Sequence, residues 1–167
     1  MSTAMHRSWV GPLLVGALLV AVFSYETYLA LNPQPKLIYA DDWTPLAKAA
    51  YDGDTELVRE LIAQGADLEV FSGDSGSEET ALGWAALKGH LDTALVLIEA
   101  SANVNAGNHG NWTPLMSAAY YGHPEMVKLL LEHGANPRTR DYMGKTAADW
   151  AHGEHRQEIR AILKAHR

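Results

Sequence analysis

The chain has 167 residues, no cysteine, a formal net charge of -7 and 47% hydrophobic residues. That length holds one ordinary domain and a short appendage. Disulfides, thiolate metal sites and thiol nucleophiles are excluded, and the negative net charge argues against nucleic acid as a partner, because phosphate binding needs a basic face.

The first predicted element is an apolar segment. Residues 8–25 run without a formal charge, preceded by Arg7, and residues 10–23 are the most apolar part. At 1.5 Å per residue such a helix spans roughly 27 Å, close to the thickness of a bilayer core. A basic residue ahead of an apolar stretch fits two readings, a retained single-pass anchor or a cleaved signal peptide. Tyr25 and Tyr28 suit an interfacial aromatic belt in the first case, and Val22 and Ser24 suit a cleavage site in the second. In both, Arg7 favours a cytoplasmic N-terminus and export of the remainder of the chain. Residues 26–40, with Pro33 and Pro35, read as an extended linker, and residues 41–167 as the folded domain.

Internal repetition governs that domain. Trp43-Thr44-Pro45-Leu46, Glu79-Thr80-Ala81-Leu82, Trp112-Thr113-Pro114-Leu115 and Lys145-Thr146-Ala147-Ala148 align, with threonines spaced by 36, 33 and 33 residues. Gly53, Gly89 and Gly122 keep that spacing, as do Gly65-Ala66-Asp67, Ser101-Ala102-Asn103 and Gly134-Ala135-Asn136. Each threonine suits a helix N-cap, and Pro45 and Pro114 fall in first turns where no amide bond is lost. The pairs Ala49-Ala50, Ala85-Ala86 and Ala118-Ala119 permit close approach of neighbouring helices, and the glycine after each ends the helix. A second helix is predicted over residues 55–64, 91–100 and 124–133, from apolar positions at helical spacing such as Met126, Val127, Leu130 and Leu131. The repeats run over about 43–78, 79–111, 112–144 and 145–167. In the last, Arg160 and Lys164 replace Val127 and Leu131 of the unit before, as an end unit with a solvated outer face requires.

These motifs resemble the ankyrin-repeat family over residues 43–165, carried by the Thr-Pro-Leu-x-x-Ala-Ala-x-x-Gly run of the first and third units and the Leu-Leu-x-x-Gly-Ala-Asn ending of the third. The resemblance implies an all-α solenoid of about four helix–turn–helix units, here preceded by an apolar N-terminal helix. Three departures stand out. Ala47, Gly83, Met116 and Asp149 occupy the family's histidine position, Ser101 replaces a helix-ending glycine, and extra residues within 72–79 predict a polar, mobile loop tip.

Family members bind through loop tips and the concave face of the first helices. Carried over, the variable pairs are Tyr51-Asp52, Leu87-Lys88 and Tyr120-Tyr121, and the variable loop positions are Trp43, Glu79, His109, Gly110, Trp112, Tyr142, Met143 and Lys145. The partner-binding set expected from these is Tyr51, Leu87, Lys88, His109, Trp112, Tyr120, Tyr121, Tyr142, Met143 and Lys145. Trp112, Tyr120, Tyr121 and Tyr142 would form an aromatic cluster, the residue type that anchors protein interfaces. Trp84 and Trp150 align with an inward-facing position and read as core. His90 and His123 follow turn glycines and read as loop braces.

No nucleophile–base order, phosphate-cradling glycine loop or catalytic carboxylate pair occurs at a recognisable spacing, so neither an enzyme nor a cofactor is expected. Asp54, Glu56, Glu125 and Glu158 suit the positive end of helix dipoles. Asp149, His152 and His155 would share a face if one helix carried them, a weak metal signal that Gly153 weakens further. The leading expectation is therefore an adaptor that binds another protein, set in a bacterial inner membrane by residues 8–25 with its repeats in the periplasm, or freely soluble there after cleavage. The alternative is a small metal- or ligand-handling protein using the histidine-rich last repeat.

Overall fold

The computed structural model describes residues 43–73 and 78–166. The apolar segment 8–25, the linker 26–40 and the tip of the predicted loop insertion, residues 74–77, lie outside the described residues. Among the described residues no helix is long and apolar enough to cross a membrane.

Among the described residues eight helices follow one another as four pairs: α1 Pro45–Asp52 with α2 Thr55–Ala63, α3 Ala81–Lys88 with α4 Leu91–Glu99, α5 Pro114–Tyr121 with α6 Pro124–Glu132, and α7 Ala147–Trp150 with α8 Arg156–Ala165. No strand forms among the described residues; Ser72 and Glu79 make an isolated bridge across the loop between the first two pairs. The first helix of each pair packs on the first helix of the next, and the second on the second, which is a solenoid.

Local chemistry accounts for the boundaries. The hydroxyls of Thr44, Thr80 and Thr113 accept from the backbone N–H groups of Ala47, Gly83 and Met116, satisfying donors that the first helical turn leaves open. Thr146 instead donates from its own N–H and hydroxyl to Asp149, at 2.9 and 2.8 Å. Those bonds, the backbone one first, hold the Asp149 carboxyl below its ordinary pKa. At the other end Gly53, Gly89 and Gly122 take φ of 76°, 76° and 79°, the left-handed turn that closes α1, α3 and α5.

The alanine pairs do what their size allows. Ala49, Ala50, Ala85, Ala86, Ala118 and Ala119 are at most 3% exposed, where the first helices meet one another. Val58, Leu97, Val127, Leu130, Ile159 and Leu163 fill the layer between them and the second helices. The expected loop braces are present: Nε2 of His90 lies 3.1 Å from the Tyr51 carbonyl oxygen, and that of His123 lies 2.9 Å from the Leu87 carbonyl oxygen. Each histidine of one repeat thus grips the turn of the one before.

The fourth pair departs from four equal units. Its first helix stops at Trp150, after a single turn. His155 stands where the earlier units have glycine, so the positive φ falls to Gly153, two residues sooner, and Ala151 is already extended. The expectation of one helix face shared by Asp149, His152 and His155 fails for that reason. Asp149 caps α7, the His152 ring stacks on Tyr120 at 4.6 Å, and Nδ1 of His155 faces Glu158 at 3.5 Å. Among the described residues no group of three histidine, aspartate or glutamate side chains is placed to hold a metal ion.

Candidate functional site

The tryptophans alternate along the stack. In the first and third repeats tryptophan precedes the capping threonine, as Trp43 and Trp112; in the second and fourth it sits on the first helix, as Trp84 and Trp150. Because consecutive first helices touch, each loop tryptophan meets the helix tryptophan of the next repeat. Two aromatic sets result. Trp43 lies 4.5 Å from Trp84, and Tyr51 meets both edge-on at 5.2 and 5.5 Å. Trp112 lies 5.1 Å from Trp150, and Tyr120 meets both at 5.8 and 6.0 Å. Separations of this size and tilt suit the quadrupoles of the rings.

The indole N–H groups are satisfied: Trp84 donates to the Ser72 carbonyl, Trp112 to the Ser117 hydroxyl and Trp150 to the Asp141 carboxylate, each at 2.7 Å. Each set also carries a cation. Lys88 Nζ stands 4.5 Å from the Tyr51 ring centre and Lys145 Nζ 4.3 Å from that of Trp150.

Between the two sets lies a cleft of about 520 Å³, in the size range of pockets that bury a small ligand, ~300–1,000 Å³. Trp84 and Leu87 of α3 line it, together with Trp112, Tyr120 and Tyr121. The loop 108–112 borders it, tied down by Asn108, whose Oδ1 accepts from the N–H groups of Gly110 and Trp112 and whose amide donates to the Glu78 carbonyl. Tyr142, whose N–H donates to the Gly110 carbonyl at 3.0 Å, adds a ring that is 80% exposed.

Two acids complete the lining. Glu78 is half exposed and faces the exposed His109 ring at 3.6 Å. Glu79 is 5% exposed, its backbone paired with Ser72. Oε2 of Glu79 is buried with no hydrogen-bond partner among the described residues. Burial pushes its pKa from the ordinary 4.5 to about 8, an effect that the neighbouring Ser117 hydroxyl only partly offsets.

Comparison with known proteins agrees with the geometry. A family model described as ankyrin repeats in three copies matches residues 18–108, and one described as ankyrin repeats in many copies matches residues 95–151. The chain belongs to the ankyrin-repeat family. Among similar proteins, the putative ankyrin repeat protein YahD of Escherichia coli K12 is 33% identical over 127 residues, covering 72% of this chain and 62% of that one. The 26S proteasome non-ATPase regulatory subunit 10 of Dictyostelium discoideum is 48% identical over 60 residues, 35% of this chain and 26% of its own length. The E3 ubiquitin-protein ligase XBAT33 of Arabidopsis thaliana is 37% identical over 120 residues, 71% of this chain. The chain spans only about a quarter of these last two proteins. What is shared is the repeat region, and ankyrin repeats are protein–protein interaction modules.

The ankyrin positions expected to bind divide in two. Leu87, His109, Trp112, Tyr120, Tyr121 and Tyr142 converge on the cleft. Tyr51, Lys88, Met143 and Lys145 are absent from its lining: Tyr51 belongs to the first aromatic set, Lys88 covers it, Lys145 covers Trp150, and Met143 is exposed. Trp84 is core, 4% exposed, yet still reaches the cleft, whereas Trp150 is half-buried. Glu78, Trp84 and Asn108 also line the cleft without having been expected there, and so does Glu79, which aligned only as a variable loop position. Its place before the capping threonine, where two other repeats carry tryptophan, was the available signal.

Proposed function

We propose that this chain is a non-enzymatic adaptor that binds another protein through the cleft between its second and third repeats, with the repeats on the extracytoplasmic side of a membrane. The observation that carries the binding surface is the convergence of Trp84, Trp112, Tyr120, Tyr121 and Tyr142 on one concavity, two of them strongly exposed. Aromatic rings of this kind contribute most of the affinity at interfaces because they bury area at little entropic cost. The membrane setting rests on the uncharged segment 8–25 behind Arg7, as a single-pass bacterial inner-membrane anchor or, alternatively, as a signal removed to leave a soluble periplasmic protein.

Capture of a partner by wild type and by the Tyr120→Ala/Tyr121→Ala chain tests the surface; undiminished capture by the variant refutes it. Protease digestion of intact and opened spheroplasts tests the location. Digestion from outside with the full mass in the membrane fraction supports an anchor, and a soluble product starting near Tyr25 supports a cleaved signal. Protection until the membrane is opened refutes export.

A further inference from the structure

We propose that the cleft receives a lysine side chain of the partner, its ammonium meeting Glu79 and its methylene stem lying between the rings of Trp84 and Trp112. The inference rests on the adaptor reading and specifies what that partner presents. Both aromatic sets already hold a lysine of this chain, Lys88 on Tyr51 and Lys145 on Trp150. Among the described residues the cleft between them is lined by five aromatic rings and two glutamates but by no lysine or arginine. One of those glutamates, Glu79, is only 5% exposed, and its Oε2 has no hydrogen-bond partner among the described residues. A buried carboxyl costs free energy unless something pairs with it. An entering ammonium supplies the missing charge, and the ring faces favour a cation in addition.

The geometry also selects ammonium over guanidinium. Oε2 is pressed against the backbone of Gly83, so close that a Cβ there would stand 2.5 Å away. With Oε2 walled off there, the carboxylate offers the cleft at most its other oxygen, Oε1; one oxygen cannot meet the two-pronged fork of an arginine, whereas an ammonium is a point charge that one suffices to pair. The acidic surroundings agree: residues 41–99 carry thirteen acids and three bases, which steers a basic segment toward this half of the stack.

Binding and ionisation of Glu79 are then linked. The carboxyl titrates near 8 in the empty cleft, while lysine keeps its charge to about 10.4, so affinity rises between pH 6.5 and 9. The other titratable groups on the lining are Glu78 beside it, Tyr120 and Tyr121 from α5, and His109 and Tyr142 from the flanking loops; α3 contributes only Trp84 and Leu87 there.

The test uses the full-length chain in detergent micelles with ¹⁵N-labelled indoles. It is titrated at pH 6.5 and 9 with the capped peptides Gly-Ser-Lys-Ser-Gly, its norleucine analogue and its arginine analogue. The expected result is a saturable shift of the Trp84 and Trp112 indole signals by the lysine peptide, at least ten-fold tighter than by norleucine. It should strengthen about ten-fold at pH 9, a gain abolished in Glu79→Gln. Tyr121→Ala, at a half-exposed position, should weaken binding with the remaining indole signals unmoved, separating loss of the site from loss of the fold. Equal binding of norleucine or of arginine, an undiminished response in Glu79→Gln, or no saturable shift overturns the proposal. Because partner capture is measured separately, failure here with capture still lost in Tyr120→Ala/Tyr121→Ala refutes the lysine and spares the adaptor.

Discussion

The carboxyl of Glu79 lies over the backbone of Gly83, and the two residues specify each other. A Cβ at residue 83 would meet Oε2 at 2.5 Å and the Glu79 Cβ at 3.1 Å. The second repeat thus has glycine where the family's histidine would stand, four residues after a glutamate that replaces tryptophan. A helical glycine is ordinarily unfavourable relative to alanine by about 1 kcal/mol, and here that cost leaves room for a buried acid.

Stability should therefore depend on pH in an unusual direction. In the unfolded chain Glu79 ionises at its ordinary value, and in the folded chain near 8. Between those values the folded state holds a proton that the unfolded state has lost, so unfolding free energy falls as pH rises from about 4.5 to 8 and levels off above it. The slope is at most about 1.4 kcal/mol per pH unit. Urea denaturation of wild type and Glu79→Gln at pH 5, 6.5 and 8 checks this. The difference between the two should move in favour of the glutamine chain as pH rises, and a constant difference would remove the buried-acid reading.

Gly83→Ala should expel the carboxyl into the cleft. The added methyl leaves Glu79 no room at its present place, and the side chain ends beside open space. Its pKa then returns toward the ordinary carboxylate range, and the downward slope of stability between pH 5 and 8 flattens. Retention of the full wild-type slope in Gly83→Ala would show that the carboxyl does not rest on residue 83.

Ser101 adopts φ of 74°, where the first and third repeats place Gly65 and Gly134 at 85° and 88°. A side chain in the left-handed region is strained by roughly 1–2 kcal/mol, of which the greater freedom of glycine in the unfolded chain takes back part. Ser101→Gly should stabilise the fold by about 1 kcal/mol, read as a higher denaturation midpoint at unchanged slope. A lower midpoint would mean that the serine is held by more than its backbone.

Leu130 is completely buried within the core. Its truncation to alanine should cost roughly 2–5 kcal/mol, enough to unfold so short a stack at moderate temperature. Thermal melting checks it; an unchanged melt would contradict its place between the repeats.

Most of the fold was legible in the sequence because ankyrin repeats are held by short-range rules. The threonine caps, the positive-φ glycines and the alanine pairs each act within one repeat or between adjacent ones, and the bracing by His90 and His123 spans a single repeat interval. The shortened α7 was harder to read. It follows from a glycine displaced by two residues, a detail that family alignment across the fourth unit obscures.

What the sequence determined alone was therefore the periodic part: unit length, helix boundaries, the small residues at the inner contacts and the positions free to vary. Which variable residues form a site was decided by the tertiary stack. Packing sets Trp43 on Trp84 and Trp112 on Trp150, encloses a cleft between those pairs, and divides the ten expected binding residues into six that face it and four that do not. The burial of Glu79 was decided in the same way. A glutamate before a helix cap is ordinarily solvated, and this one loses its water only because Gly83, Ser117 and the bridge to Ser72 close around it from three separate segments. Desolvation is a property of the surroundings in space, so no local pattern of residues carries it.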